Sequence, residues 1–200
     1  MEFHERKQPV LQKNEKILWE GKPEKKAFIL ERCLRMLPIA IIWLVLDLSI
    51  IVPAFGEGDM LFFLVPFFAL HLMPVWMWLA QVVTAGRRWR NTAYFVTNRR
   101  IIIQHGFFAV NEISLSYKGI PNTQLNIGFI DKIFSVGDIS FEPERFNNNK
   151  QNSFVFEDLL NPQETYEYIQ QLVIDILTDM EYPNAMRPDT NPGYNTDIEP

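Results

Sequence analysis

The sequence predicts a membrane helical hairpin followed by a mainly β domain, a barrel or bent pair of sheets closed by a C-terminal α-helix. Three observations carry that prediction. Two long apolar stretches, Met36 to Phe55 and Met60 to Val83, hold only Asp47 and His71 as ionisable groups. Beyond Asn91, short runs alternate apolar and polar residues with the period of a strand. The last regular stretch, after Asn161, sets apolar residues at helical spacing behind a capping sequence.

The N-terminal segment, residues 1–35, holds nine Lys/Arg against six Asp/Glu and reads as a basic cytoplasmic stretch. Its start, MEFHERKQPV, is polar, and the first apolar run begins near Met36. That is late for a cleaved signal peptide, so the segment is expected to be retained. Residues 36–83 then supply the hairpin. About twenty helical residues cross a hydrocarbon core of roughly 30 Å, and each stretch meets that length. GEGD, residues 56–59, is a tight polar turn between them. Pro53, Pro66 and Pro74 are tolerated more easily in membrane helices than in soluble ones. Arg32 and Arg35 precede the first stretch and Arg87, Arg88 and Arg90 follow the second, while the turn carries only acids. The positive-inside rule then gives a two-span cell-membrane protein with both termini cytoplasmic.

Asp47 and His71 are the polar pair of this hairpin. Counted from the turn, they differ in depth by about three residues, or about 4–5 Å at 1.5 Å per residue. A carboxylate deep in a bilayer is costly and is usually paired. The two residues are expected to hydrogen-bond, within one chain or between chains.

Residues 90–180 form the β domain. TAYFVT and IIIQHGFF flank the polar break Asn98-Arg99, which suggests an antiparallel hairpin. Alternation continues at Ile113, Leu115 and Tyr117; at Leu125, Ile127 and Phe129; at Ile139 and Phe141; and at Phe154 and Phe156. ERFNNNKQN, residues 144–152, reads as a solvated loop. Asn161, Pro162 and Glu164 form an N-cap, a proline start and a capping-box acid. Tyr166, Ile169, Val173, Ile176, Leu177 and Met180 then make one apolar stripe, expected to lie on the opening of the sheets. Residues 181–200, rich in Pro and Asn, are expected to be disordered.

Several function classes are excluded by what the sequence holds. Residues 84–200 carry ten Lys/Arg against fifteen Asp/Glu, so the foldable region lacks the basic surface that nucleic acid requires. One cysteine, Cys33, permits neither an internal disulfide nor a thiolate metal site. No nucleophile-elbow, zinc-protease or phosphate-loop pattern occurs. No catalytic residue, metal or cofactor is therefore assigned.

The stretch WRNTAYFVTNRRIIIQHGFF, residues 89–108, resembles the opening of the bacterial pleckstrin-homology-like domains that follow a transmembrane hairpin. The resemblance continues through EISLSYKGIPNTQLNIGFIDKIFSVGDISF and closes with DLLNPQETYEYI. It implies a membrane-anchored pleckstrin-homology fold without catalysis, whose relatives by fold bind phosphoinositides or proteins. The first loop here offers only Arg99 and Arg100, a departure from the dense basic cluster that phosphoinositide sites use.

Two readings of function follow. In the first, the chain is an anchored interaction or scaffold module with a protein partner, able to self-associate through the spans or a sheet edge. In the second, Arg87, Arg88, Arg90, Arg99 and Arg100 bind anionic headgroups at the inner leaflet. For Arg100 a structural role stands beside the lipid contact: a bond to backbone or to an acid such as Glu112.

Overall fold

The computed structural model describes residues 8–54, 61–120, 122–142 and 154–181. The turn at 56–59, the polar loop at 144–152 and the tail beyond Glu181 lie outside the described residues. In chain order the first elements are β1 (Ile17–Gly21), α1 (Lys25–Ala54), α2 (Leu61–His71) and α3 (Met73–Arg90). Strands β2 (Ala93–Thr97), β3 (Arg100–His105), β4 (Asn111–Ser116) and β5 (Asn122–Asn126) follow. The chain continues with α4 (Phe129–Phe134), β6 (Val136–Glu142), β7 (Phe154–Leu160) and α5 (Pro162–Glu181). Two compact units result. Residues 1–27 and 91–200 form the β unit, and residues 28–90 form the helical unit.

In the β unit, β1-β2-β3-β4 make one antiparallel sheet and β5-β6-β7 another. Among the described residues these are bent, unclosed sheets and not a closed barrel. Period-two alternation decides which side chains meet. Tyr94 and Val96 of β2, with Ile101 and Ile103 of β3, point into the core shared with Ile139, Phe141 and Phe156. Ala93, Phe95 and Ile102 fall on the opposite face in a second buried cluster. Phe156 is the hub between sheets. Its ring stacks on Tyr94 at 4.6 Å and Trp19 at 5.6 Å, and meets Phe141 edge-on at 4.9 Å. α5 closes the core with Ile169, Leu172, Val173 and Ile176, all buried. Asn161 stands directly ahead of its first residue, Pro162. Asn161 adopts φ 48°, and its carbonyl accepts the Thr165 N–H at 3.0 Å.

The N-terminal segment holds a strand that its charge had obscured. Ile17, Leu18 and Trp19, followed by Gly21 and Pro23, are a β-prone run ending in turn residues. β1 pairs with β2 through Gly21↔Tyr94 and Trp19↔Val96.

In the helical unit, α1 runs antiparallel to the helices that follow it. Trp78 Nε1–H donates to the Cys33 carbonyl at 2.9 Å, and Trp43 Nε1–H to the His71 carbonyl at 2.8 Å. The two-span topology is corrected here. Among the described residues only α1 is long and apolar enough to cross a membrane. The second stretch breaks at Leu72, because Pro74 lacks an N–H and fixes its own φ, which suits a first helical turn and not an interior. The 11-residue α2 reaches only about 16 Å at 1.5 Å per residue. α3 spends its last turn on Arg87, Arg88 and Arg90. The multi-pass assignment, with both termini on the cytoplasmic side, rested on two spans and falls with them.

Candidate functional site

The sequence Thr97-Asn98-Arg99-Arg100 turns β2 into β3 and also fastens the N-terminal segment to the sheet. Thr97 Oγ1 accepts the N–H groups of Arg99 and Arg100 at 3.1 and 3.0 Å, the local bonding a threonine offers a turn. Its own proton serves either Glu15 Oε1 or the Arg100 carbonyl, each at 2.8 Å. Buried Asn98 works on the opposite strand. Its Oδ1 accepts the Lys16 N–H at 2.9 Å, and its backbone N–H donates to the Lys16 carbonyl at 3.0 Å. Tyr117 closes the turn from beneath, its hydroxyl donating to the Thr97 carbonyl.

Arg100 is engaged on all three side-chain nitrogens. Nε donates to Glu15 Oε1 at 2.9 Å, Nη2 to the Val10 carbonyl at 2.7 Å and to Glu15 Oε2 at 3.2 Å, and Nη1 to Ser114 Oγ at 3.2 Å. The acid it meets is Glu15, whereas Glu112 accepts from Val10 N–H and Gln104 Nε2. Burial pushes the Glu15 carboxyl upward. The hydrogen bonds from Arg100, Gln12 N–H and Thr97, with the guanidinium charge, outweigh burial and hold it below the ordinary carboxylate range.

The five arginines grouped by sequence divide between the units. Arg99 is exposed and Arg100 half-buried in the β unit. Arg87, Arg88 and Arg90 are exposed in the last turn of α3, where cations complement the helix dipole. Asp47 and His71 meet within one chain. Oδ1 lies 2.7 Å from Nδ1, with Asp47 buried and the His71 ring stacked on Phe67 at 5.1 Å.

Glu15 and Asn91 were missed by sequence reasoning. Asn91 follows Arg90 directly, and its Nδ2 donates to the Gly106 and Phe107 carbonyls at 3.3 and 3.1 Å, pinning the β3–β4 loop. An asparagine between a helix and a strand gives no distinctive pattern. Glu15 lay among mixed charges, with its partner eighty-five residues away.

The sheet order, the closing helix and the polar turn can now be set beside known proteins. The bacterial PH domain family model matches residues 34–173. This chain belongs to that family. Bacterial PH domains are non-catalytic interaction modules, in keeping with the lack of catalytic motifs in the sequence. A search of curated proteins finds no match. The chain is also similar to a solved protein with a pleckstrin-homology domain from Shewanella loihica. That likeness covers 42% of this chain and 69% of that one, at 17% identity and a TM-score of 0.31.

Proposed function

We propose that this bacterial PH domain protein binds anionic lipid headgroups, with α1 attaching it to a bilayer and Arg87, Arg88 and Arg90 contacting phosphates. The carrying observation is the exposed arginine cluster in the last turn of α3, immediately ahead of the β unit. The exposed apolar side chains of α1, among them Ile39, Ile42, Val45 and Val52, support the bilayer as its surroundings. A soluble core helix would bury them. Each basic residue near an anionic surface contributes about 1 kcal/mol, so three arginines amount to about two orders of magnitude in affinity. Arg99, in the turn between β2 and β3, takes no part in this surface, and Arg100 is bound to Glu15.

The test reconstitutes the full chain in vesicles of equal phosphatidylglycerol and phosphatidylcholine, re-extracts it in mild detergent and quantifies the retained lipids. Phosphatidylglycerol is expected to be enriched, and Arg87→Gln/Arg88→Gln/Arg90→Gln to bring the ratio to that of the bulk. A bulk ratio for the unaltered chain would overturn the lipid reading. A co-purifying protein or a second copy would then restore the scaffold reading.

A further inference from the structure

The β unit has one end at which the helical unit leaves and returns. Gly21 pairs with Tyr94, Ala93 with Gln104, and His105 with Asn111. The end of β1, the start of β2 and the β3–β4 loop therefore share one edge of the four-stranded sheet. The second sheet reaches the same place. Glu24 N–H donates to the Asp158 carbonyl at 2.7 Å, and Glu157 N–H to the Tyr94 hydroxyl at 2.9 Å. Carboxylate oxygens of Asp131 and Asp158 lie within 4.8 Å, which brings α4 beside this end as well.

Large apolar side chains are displayed there. Phe108, at the tip of the β3–β4 loop, is 84% exposed, and its ring meets Phe107 edge-on at 4.3 Å. Phe129 and Ile133 of α4 are 82% and 64% exposed, while Asp131 between them is buried and caps α4 by accepting the Gly128 N–H at 2.7 Å. Single exposed apolar residues are ordinary, but several displayed at the same end of a fold mark a contact surface. The loop is held in shape. Asn91 bonds two of its carbonyls, and Gly106 at φ 153° turns where a Cβ would stand 1.9 Å from the Ala109 carbonyl oxygen.

We propose that Phe107 and Phe108, with Phe129 and Ile133, form an apolar rim that enters the interfacial layer of the lipid bilayer. Two observations select a bilayer as the occupant. α1, the helix apolar enough for a membrane, begins at Lys25, one residue after Glu24 is fastened to this end. The flanking chain is basic, with Lys25 and Lys26 on departure and Arg87, Arg88 and Arg90 before the return. Apolar side chains backed by cations are the composition that seats a surface in the headgroup region, about 5–10 Å deep. This inference rests on the lipid reading above and adds which side chains penetrate.

The experiment uses the full chain with Cys33→Ala and one new cysteine carrying a nitrobenzoxadiazole dye, at Phe108→Cys, Ile133→Cys or, as control, Ser116→Cys. Ser116 is exposed and pairs with Arg100 at the far end of β4. All three positions face solvent, so the fold tolerates the dye. The chain is reconstituted with acyl-brominated phosphatidylcholine, with and without phosphatidylglycerol. The dye at 108 and 133 is expected to shift to the blue and to be quenched several-fold more than at 116. Equal quenching at the three positions would overturn the rim, and would leave the lipid-retention result of the preceding section untouched. Quenching at 108 and 133 that is indifferent to phosphatidylglycerol would uphold the rim and count against the anionic preference alone.

Discussion

Replacing Arg100 by alanine should loosen the N-terminal strand selectively. Glu15 is 0% exposed at its side chain and Arg100 18%, so the substitution leaves a buried carboxylate without its guanidinium. Removing one partner of a buried pair costs about 3–5 kcal/mol. Thr97 and Gln12 N–H still serve Glu15, which places the loss at the lower end, about 3 kcal/mol. At 1.4 kcal/mol per factor of ten, that is about a hundredfold rise in opening of residues 8–21. Hydrogen exchange read by mass spectrometry on that segment, corrected for intrinsic pH dependence, measures it. The pH slope gives a second readout. The Glu15 carboxyl is held low in the fold, so its stabilisation is present above the ordinary carboxylate range. It is lost as pH falls through the folded value. In Arg100→Ala the largest remaining influence on Glu15 is burial, which raises it, so the acid-side loss should disappear. Less than a tenfold change in exchange, or an unchanged acid slope, would refute the lock.

Three further outcomes are expected. Phe156→Ala removes the ring shared by Trp19, Tyr94 and Phe141 and should cost about 3–5 kcal/mol, seen as a large drop in the melting temperature of the near-ultraviolet signal. Gly106→Ala forces a Cβ onto the Ala109 carbonyl at a φ only glycine favours, so a loss of about 1–3 kcal/mol should appear as faster exchange across 104–111. His71→Leu strips the partner from buried Asp47 and should cost about 1–3 kcal/mol in detergent melts, most of it recovered by adding Asp47→Leu.

What the sequence shows and what it hides divide along the range of the interactions. Alternation at Ile113 and Leu115, or at Ile139 and Phe141, is local, and strands follow where it predicts them. The stripe of α5 is local as well, and Ile169, Val173 and Ile176 are buried as spaced. The identity of Arg100's partner is not local. Both Glu112 and Glu15 are plausible by charge, and only the β1–β2 pairing decides for Glu15. The broken second stretch is an intermediate case. Pro66 and Pro74 were visible, but their tolerance was credited to a membrane; in the fold, Pro66 stays inside α2 and Pro74 takes a first helical turn. Exposure of Phe108 and Phe129 was legible from neither period nor propensity, since both resemble core positions of a strand pattern.

The position of β1 gives the polar turn its purpose. Gly21 and Tyr94 are paired across about seventy intervening residues. Closing a flexible loop of that length costs about 4 kcal/mol in chain entropy, apart from a constant. A five-residue edge strand contributes few bonds against such a cost. The Arg100–Glu15 pair and the Asn98 bonds to Lys16 are of the right size to offset it. Antiparallel packing within the helical unit lowers the cost further, because Trp78 on Cys33 and Trp43 on His71 draw its two chain ends to the same side. Folding of the helices therefore favours capture of β1, and the lock at Thr97–Arg100 retains it. On this argument Arg100 holds the discontinuous sheet together, while its neighbour Arg99 remains exposed.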